Sequence, residues 1–446
     1  MRGLSSGLLC AVLLVGATSP AVAEGWRETL EDIPLGPLRL DVGGQVRLRY
    51  ELDDGFTVKG YASGTRDHLL LERIMVSAGL RWRQRLRVFL ELRDAHAVYT
   101  RLVDGIDFPK NNPLEDPLDL RQAYVDGFFA PDHPVGFRIG RQQISYGDQR
   151  VFGPGQWGNT GRWIWDAAMV RVRTRYLWAD TWIGRSIVNR PDVWPNRWSD
   201  GPLVVGLYGG VRRLPLRLEP FYLMKYQGWG QVAGERGTGD LLSHSLGIQL
   251  EGSLAHGWLT YGGTYVLQVG RQGGDRLLAH GANLQLGLRP PLAWRPWLRA
   301  QLTWGSGDRS PDDGRHGTFD GVAGGADIYF YGQMNLFYWA NLRDYEVDLR
   351  LDPLRWLEVR VEYHGFTLDQ ARDAWYTTGL SPLRRDLTGR SGMELGHELD
   401  LRLVARPTAR LELMVGYSHF WPGGFVRRTG AHHQGNWFMM QVAHAI

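Results

Sequence analysis

Polarity in this chain repeats every two residues, and that period limits the fold more than any other feature. From Leu38 the even positions run Leu38, Leu40, Val42, Gly44, Val46, Leu48, Tyr50, Leu52, against Arg39, Asp41, Gly43, Gln45, Arg47, Arg49 and Glu51 at the odd ones. The pattern returns at Leu86, Val88, Leu90 and Leu92 opposite Arg87, Glu91 and Arg93. Near the end, Tyr345, Val347, Leu349 and Leu351 oppose Glu346, Asp348, Arg350 and Asp352, and Leu357, Val359, Val361 and Tyr363 oppose Glu358, Arg360, Glu362 and His364. Successive side chains of a strand point to opposite faces, so each segment has one oily and one charged side. No apolar run reaches the ~18 residues of a membrane helix.

A soluble sandwich also alternates, so the chemistry of the polar face decides. Its cations are almost all arginine, since lysine occurs only at Lys59, Lys110 and Lys225. Guanidinium pairs bidentately with carboxylates, which suits a crowded lumen where both signs face one another. The opposite, uniformly apolar face suits lipid. The spacing predicts eighteen strands, with sixteen as the alternative count: 38–52, 69–82, 86–99, 118–129, 135–146, 163–175, 180–189, 202–212, 216–226, 241–252, 258–270, 279–289, 297–305, 341–352, 356–367, 395–406, 410–420 and 434–446. The gaps between them alternate long and short throughout, as in outer-membrane barrels with long outer loops and short periplasmic turns. An open sheet edge cannot be left in lipid, so the sheet must close. The expected fold is an all-β transmembrane antiparallel β-barrel of eighteen strands. Trp82, Trp258, Trp294, Trp297 and Trp356 sit near strand ends, where an aromatic girdle belongs.

Residues 1–23 read as a signal peptide: Met1-Arg2, an apolar stretch from Leu8 to Val15, and Ala21-Val22-Ala23 before Glu24. Residues 24–446 then form a single barrel domain in the outer membrane of a Gram-negative cell, surrounded by its lipid. The only cysteine, Cys10, lies in the leader, which leaves no thiol for a disulfide, a zinc site or a nucleophile. The short stretch between Glu24 and the first strand has no room for a receptor plug. Beyond the leader Gly-x-Ser-x-Gly is absent, His432-His433 reads as a loop pair, and no residues call for catalysis or a cofactor. The pI of about 9.1 suggests nucleic acid, but the basic residues alternate with acids and form no patch.

Several blocks resemble the alginate export family of bacterial outer-membrane porins. The clearest is Gly396-His397-Glu398-Leu399-Asp400-Leu401, followed by Gly416-Tyr417-Ser418-His419-Phe420-Trp421-Pro422-Gly423. A second runs Gly305-Ser306-Gly307-Asp308 through Pro311-Asp312-Asp313-Gly314 and Thr318-Phe319-Asp320 to Tyr331-Gly332 and Asn341-Leu342-Arg343-Asp344. A third is Leu120-Arg121-Gln122-Ala123-Tyr124-Val125-Asp126, then Gly140-Arg141-Gln142, Tyr146-Gly147-Asp148-Gln149-Arg150 and Gly161-Arg162. The resemblance implies an eighteen-stranded barrel whose arginine-lined lumen passes a polyuronate outward, delivered by periplasmic export proteins. A single wide chain suffices as a monomer.

Alternation aims Arg47, Arg49, Arg73, Arg87, Arg121, Arg350, Arg360 and Arg402 inward, with Asp348, Glu362 and Glu398 among the facing acids. The resemblance adds Asp126, Arg141, Asp148 and Arg150 to this pathway. Arg141 falls on the face of Phe137 and Ile139, which calls for a β-bulge at Gly140 or another register. Guanidiniums would replace the hydration of a polyuronate's carboxylates while acids accept from its hydroxyls, through many weak contacts. The alternative role for the same residues is pairing across the wall. A diffusion porin of the same fold, for another anionic or sugar-like small solute, fits the sequence equally well. The connection 306–340 is expected either to fold inward and narrow the lumen or to stay on the surface. Asp308, Asp312 and Asp313 within it offer oxygen ligands for calcium.

Overall fold

The computed structural model describes residues 30–446 apart from 56–65, 84, 109–110, 130–132, 154, 156, 162, 199, 322, 324–329 and 378–379. The leader, Lys59, Lys110, Pro131 and Arg162 therefore lie outside the described residues. Eighteen long strands form one antiparallel barrel. In chain order they are β1 (Leu38–Asp54), β2 (Arg66–Trp82), β3 (Leu86–Val98), β4 (Asp116–Phe128), β5 (Val135–Gln143) and β6 (Ile164–Arg173). The next six are β7 (Leu177–Ser186), β8 (Leu203–Val211), β9 (Leu216–Ala233), β10 (Thr238–Leu254), β11 (Leu259–Gln272) and β12 (Asp275–Leu288). The last are β13 (Trp297–Gly305), β14 (Leu342–Leu354), β15 (Leu357–Thr367), β16 (Glu394–Ala405), β17 (Leu411–Pro422) and β18 (Gly435–Ala445). β1 closes on β18 from Gln45↔Ala445 to Asp54↔Asn436, which leaves no open edge.

The period-2 reading fixes which face meets lipid. Val76, Leu246, Leu284, Val347, Leu403 and Val442 are exposed on the outside, while Arg47, Arg49, Arg73 and Asp348 are buried on the inside. Trp82, Trp258, Trp294 and Trp356 are exposed at the end of the barrel carrying the short turns, as a girdle requires. Trp297 corrects the reading: it shares the inward face with Arg299 and lies against Arg289 rather than lipid.

The alternation of long and short gaps fails at two outer connections. β9 and β10 run to the turn 234–237, and β11 and β12 meet at Gly273-Gly274, so residues read as loop are strand. The pattern was hidden by an irregularity at Trp229-Gly230, both at positive φ, where the β9–β10 register shifts between Gln227 and Val232. Elsewhere the long connections stand as expected, and two of them, 144–163 and 306–341, turn into the barrel.

A bulge does re-aim the third block, but it lies at Arg121. Gln122 pairs with Glu91 and Leu120 with Leu92, which leaves Arg121 as the extra residue. The inward face therefore carries Asp119 before the bulge, Arg121 at it, and Tyr124 and Asp126 after it. Gly140, at φ +128, packs against the Ala123 carbonyl, where a Cβ would come within 2.3 Å, and parity continues through it.

Candidate functional site

Two walls of opposite charge, separated by β17 and β18, line the outer half of the lumen, and each holds a loop. On β1 to β4, Arg47, Arg49, Arg73, Arg93 and Arg121 are all buried. The Arg47 guanidinium donates to the carbonyls of Trp157 and Gly158, both at 3.3 Å, and to Asn159 Oδ1 at 3.2 Å. Arg49 donates to the Trp157 carbonyl at 2.8 Å, and its Cζ lies 4.2 Å from that ring's centroid. Arg73 reaches the Gly158 carbonyl at 3.5 Å and Arg121 that of Thr160 at 3.1 Å. Four inward arginines thus take up backbone carbonyls that a loop inside a barrel would otherwise leave unsatisfied. Arg93 instead pairs with buried Asp116 at the foot of the same loop system.

The second wall, on β14 to β16, presents Asp344, Glu346, Asp348, Glu362, His364, Glu398 and Asp400, all buried. It receives N–H groups of the segment 306–341. Gln333 N donates to Asp400 Oδ2 at 3.2 Å, Met334 N to Glu398 Oε1 at 2.9 Å, and Gln333 Nε2 to Glu362 Oε2 at 3.3 Å. Gly332 makes this approach possible: its φ is +83, and a Cβ there would lie 2.6 Å from the Glu398 carboxylate. Farther along the loop, Lys225 of β9 pairs with Asp320, and Gln268 of β11 exchanges two 2.9 Å bonds with the Asp320 backbone. The two loops join in one apolar cluster containing Val151, Phe152, Phe319, Tyr331, Met334, Phe337 and Trp339. Ala323 N donates to the Val151 carbonyl at 3.1 Å. Burial of that cluster is the main stabilisation of the inward position, at ~1.5–3 kcal/mol for each large side chain.

This geometry divides the residues singled out in the sequence. Arg47, Arg49, Arg73 and Arg121 fasten the loop 144–163. Arg150 lies within that loop, buried beside Asp148, with its Cζ 4.2 Å from the Phe330 ring centroid and its Nη2 on Gln301 Oε1 at 3.2 Å. Arg360 is held at 2.8 Å by both Asp348 and Glu362, and Arg402 lies 3.5 Å from Glu362. Arg87 and Arg350 stay half open: Arg87 donates to Tyr124 Oη, while Arg350 pairs with Asp352 and Glu358. Asp126 takes Arg138 at 3.1 Å and Arg171 at 3.4 Å. Arg141 is corrected: it follows Ile139 on the outer face, pairs with Asp166 at 2.8 Å, and is covered by Asn196 of the connection 187–202.

The loop aspartates do not converge on a cation. Asp308 accepts from Ser310 N and Gly317 N, Asp312 from Ser310 Oγ, and Asp313 from Arg315 N, as turn-forming aspartates do. Among the described residues, side chains close enough to share an ion are Asp344, Glu346 and His364, and Glu346, Asp348 and Glu362. Their charges already have partners: His364 on Asp344, Arg299 on Glu346 and Asp348, and Arg360 on Asp348 and Glu362. Outside the membrane-spanning strands, burial and the neighbouring Asp373 push the Asp308 carboxyl above its usual range. Burial and Asp308 do the same to Glu235 in the turn 234–237.

Below the loops the lumen is open toward the short turns. A cavity of about 390 Å³ there is lined by Arg138, Arg171, Arg173, Asp180, Tyr146 and Trp178. Sequence reasoning passed over the anchoring segment Trp157 to Thr160, which has no alternation. A run of small turn residues between two strands was its only signal.

The sequence pattern of the alginate export family matches residues 38–440. The chain belongs to that family. No curated protein matches it. Its fold is similar to that of Acinetobacter baumannii OccAB2, with a TM-score of 0.61 at 10% identity over 91% of this chain and 98% of that one. Pseudomonas aeruginosa OccK3 (OpdO) gives a TM-score of 0.58 at 10% identity over 91% and 96%. Pseudomonas aeruginosa OccK2 (OpdF), solved in complex with glucuronate, gives 0.57 at 10% identity over 91% and 98%. With the family match, these place the chain among outer-membrane channels.

Proposed function

We propose that this channel exports an acidic polysaccharide of the alginate type from the periplasm to the cell surface. The reading rests on one observation above all: below the loops, guanidiniums that remain partly exposed (Arg87, Arg138, Arg171, Arg350) stand beside carboxylates such as Asp126 and Glu358. A polyuronate carries a carboxylate and several hydroxyls on every unit. Such a wall offers it charge-assisted donors and acceptors, many and individually weak. The two inward loops fill the outer half, so passage of a polymer requires them to part. One chain closes its own barrel and acts as a monomer, to which periplasmic partners deliver the polymer.

A second reading is favoured by the fold it shares with the glucuronate-bound OccK2 structure: a diffusion channel for small sugar acids. Single-channel recording separates the two. Anion-selective conductance, blocked by micromolar polymannuronate and relieved in Arg87→Glu, is expected for export. A channel that passes monomeric uronate and ignores the polymer sinks the export reading. Arg360 is a poorer probe than Arg87, because it is held between two buried carboxylates that would lose one of their cations.

A further inference from the structure

A second cavity, of about 610 Å³, opens in the inner wall of β9 to β13 at the end carrying the short turns. Its size falls within the ~300–1,000 Å³ of small-molecule sites. Three arginines line it, Arg217, Arg289 and Arg299, against one lining acid, Glu251. Two of them are occupied. Arg217 pairs with Glu251, and Arg299 holds Glu346 at 2.7 Å and Asp348 at 3.0 Å. Arg289 has no carboxylate partner among the described residues. Its Cζ lies 4.0 Å from the Trp297 ring centroid, and Arg299 approaches the same ring at 5.3 Å. Stacking on an indole fixes the plane of a guanidinium while leaving its N–H fork free.

Side chains pack closely over the glycines beneath this group. Gly287 lies against Trp297, where a Cβ would come within 2.3 Å of Nε1, and Gly262 lies under Gln285. The Glu251 carboxylate is about half exposed despite its pairing, so acceptors for hydroxyl groups stand beside the free cation. An acidic sugar matches this set: a carboxylate for Arg289, hydroxyls for Glu251 and Gln285, and a ring of a size the cavity admits. The recess opens at the periplasmic rim and lies below both inward loops.

We propose that this recess binds one or a few units of an acidic sugar polymer on its way in from the periplasm, before the loops part. The proposal rests on the polyuronate reading above and adds a place and a side to it. Trimannuronate added to one side of a planar bilayer tests it. Block of wild type is expected at lower concentration from the periplasmic side. Arg289→Gln should raise the half-blocking concentration from that side about ten-fold, the scale of one lost charge-assisted hydrogen bond. Trp297→Ala should give a similar loss and Trp297→Phe a partial rescue. Arg295→Gln, in the same turn but paired with Asp352, should block like wild type. Trimannuronate that blocks wild type and Arg289→Gln alike overturns the site and leaves polyuronate export standing. Wild type that is blocked from neither side overturns both.

Discussion

The two charged walls do the same job with opposite chemistry. On β1 to β4 long arginine side chains reach out to carbonyls of the loop 144–163. On β14 to β16 short carboxylates take N–H groups, so the segment 306–341 must itself come to the wall, and Gly332 lets it. The difference in reach explains why one loop is held at a distance by a fork of donors and the other lies flat on acceptors. It also teaches that a charged lumen residue is not a free charge. The arginines that alternation picks out most cleanly, Arg47 and Arg49, are among the most fully engaged, while Arg87 and Arg350 stay accessible.

The largest effect should come from the acidic wall. Glu398→Gln with Asp400→Asn weakens two charge-assisted bonds of about 1.5 kcal/mol each, enough to raise the frequency of open events about 100-fold. Single-channel records with unchanged opening would break the equivalence of the walls. Arg49→Gln on the basic wall should give about ten-fold, since one good carbonyl bond and one ring contact are lost. Arg49→Lys should fall between, because an ammonium keeps the charge but not the fork. Arg87→Glu sharpens the contrast between fastening and free arginines. It should lower the anion-to-cation permeability ratio about three-fold, the scale of a half-exposed charge at ~0.7 kcal/mol, with loop opening unchanged. Reversal potentials under a salt gradient read this directly.

The smallest effect concerns pH. Asp308 and Glu235 face one another where the segment 306–341 meets the turn 234–237, and both carboxyls lie above their usual range. A group whose pKa is raised in the docked state holds its proton more tightly docked than free. Docking is therefore fully favoured in acid and weakens as pH rises through the raised values. Protection factors across 306–317, normalised to the intrinsic exchange rate at each pH, should be about two-fold higher at pH 5 than at pH 8, with the difference abolished in Asp308→Asn. Equal protection factors at both pH values would show that the contact carries no titrating charge.

Much of the wall was legible before the fold. Strand count, inward face and lipid face followed from local alternation at Arg47, Arg73, Asp348 and Glu398. The errors fall where local geometry departs from a plain strand: the extra residue at Arg121, the positive-φ pair Trp229-Gly230, and Trp297, whose indole turned to a cation instead of lipid. The loop aspartates misled for a related reason, because turn formation and cation ligation use the same residue type.

The sequence by itself determined the barrel, because in a strand the direction of each side chain is set by its position alone and a period of two is read without knowing any partner. Tertiary structure decided what the inward charges do. Arg47 meets Gly158 and Glu398 meets Met334 across 111 and 64 residues of chain. No local pattern encodes such pairings. They arise when two loops, each with backbone groups that must be satisfied, enter a lumen whose walls carry the complementary charges.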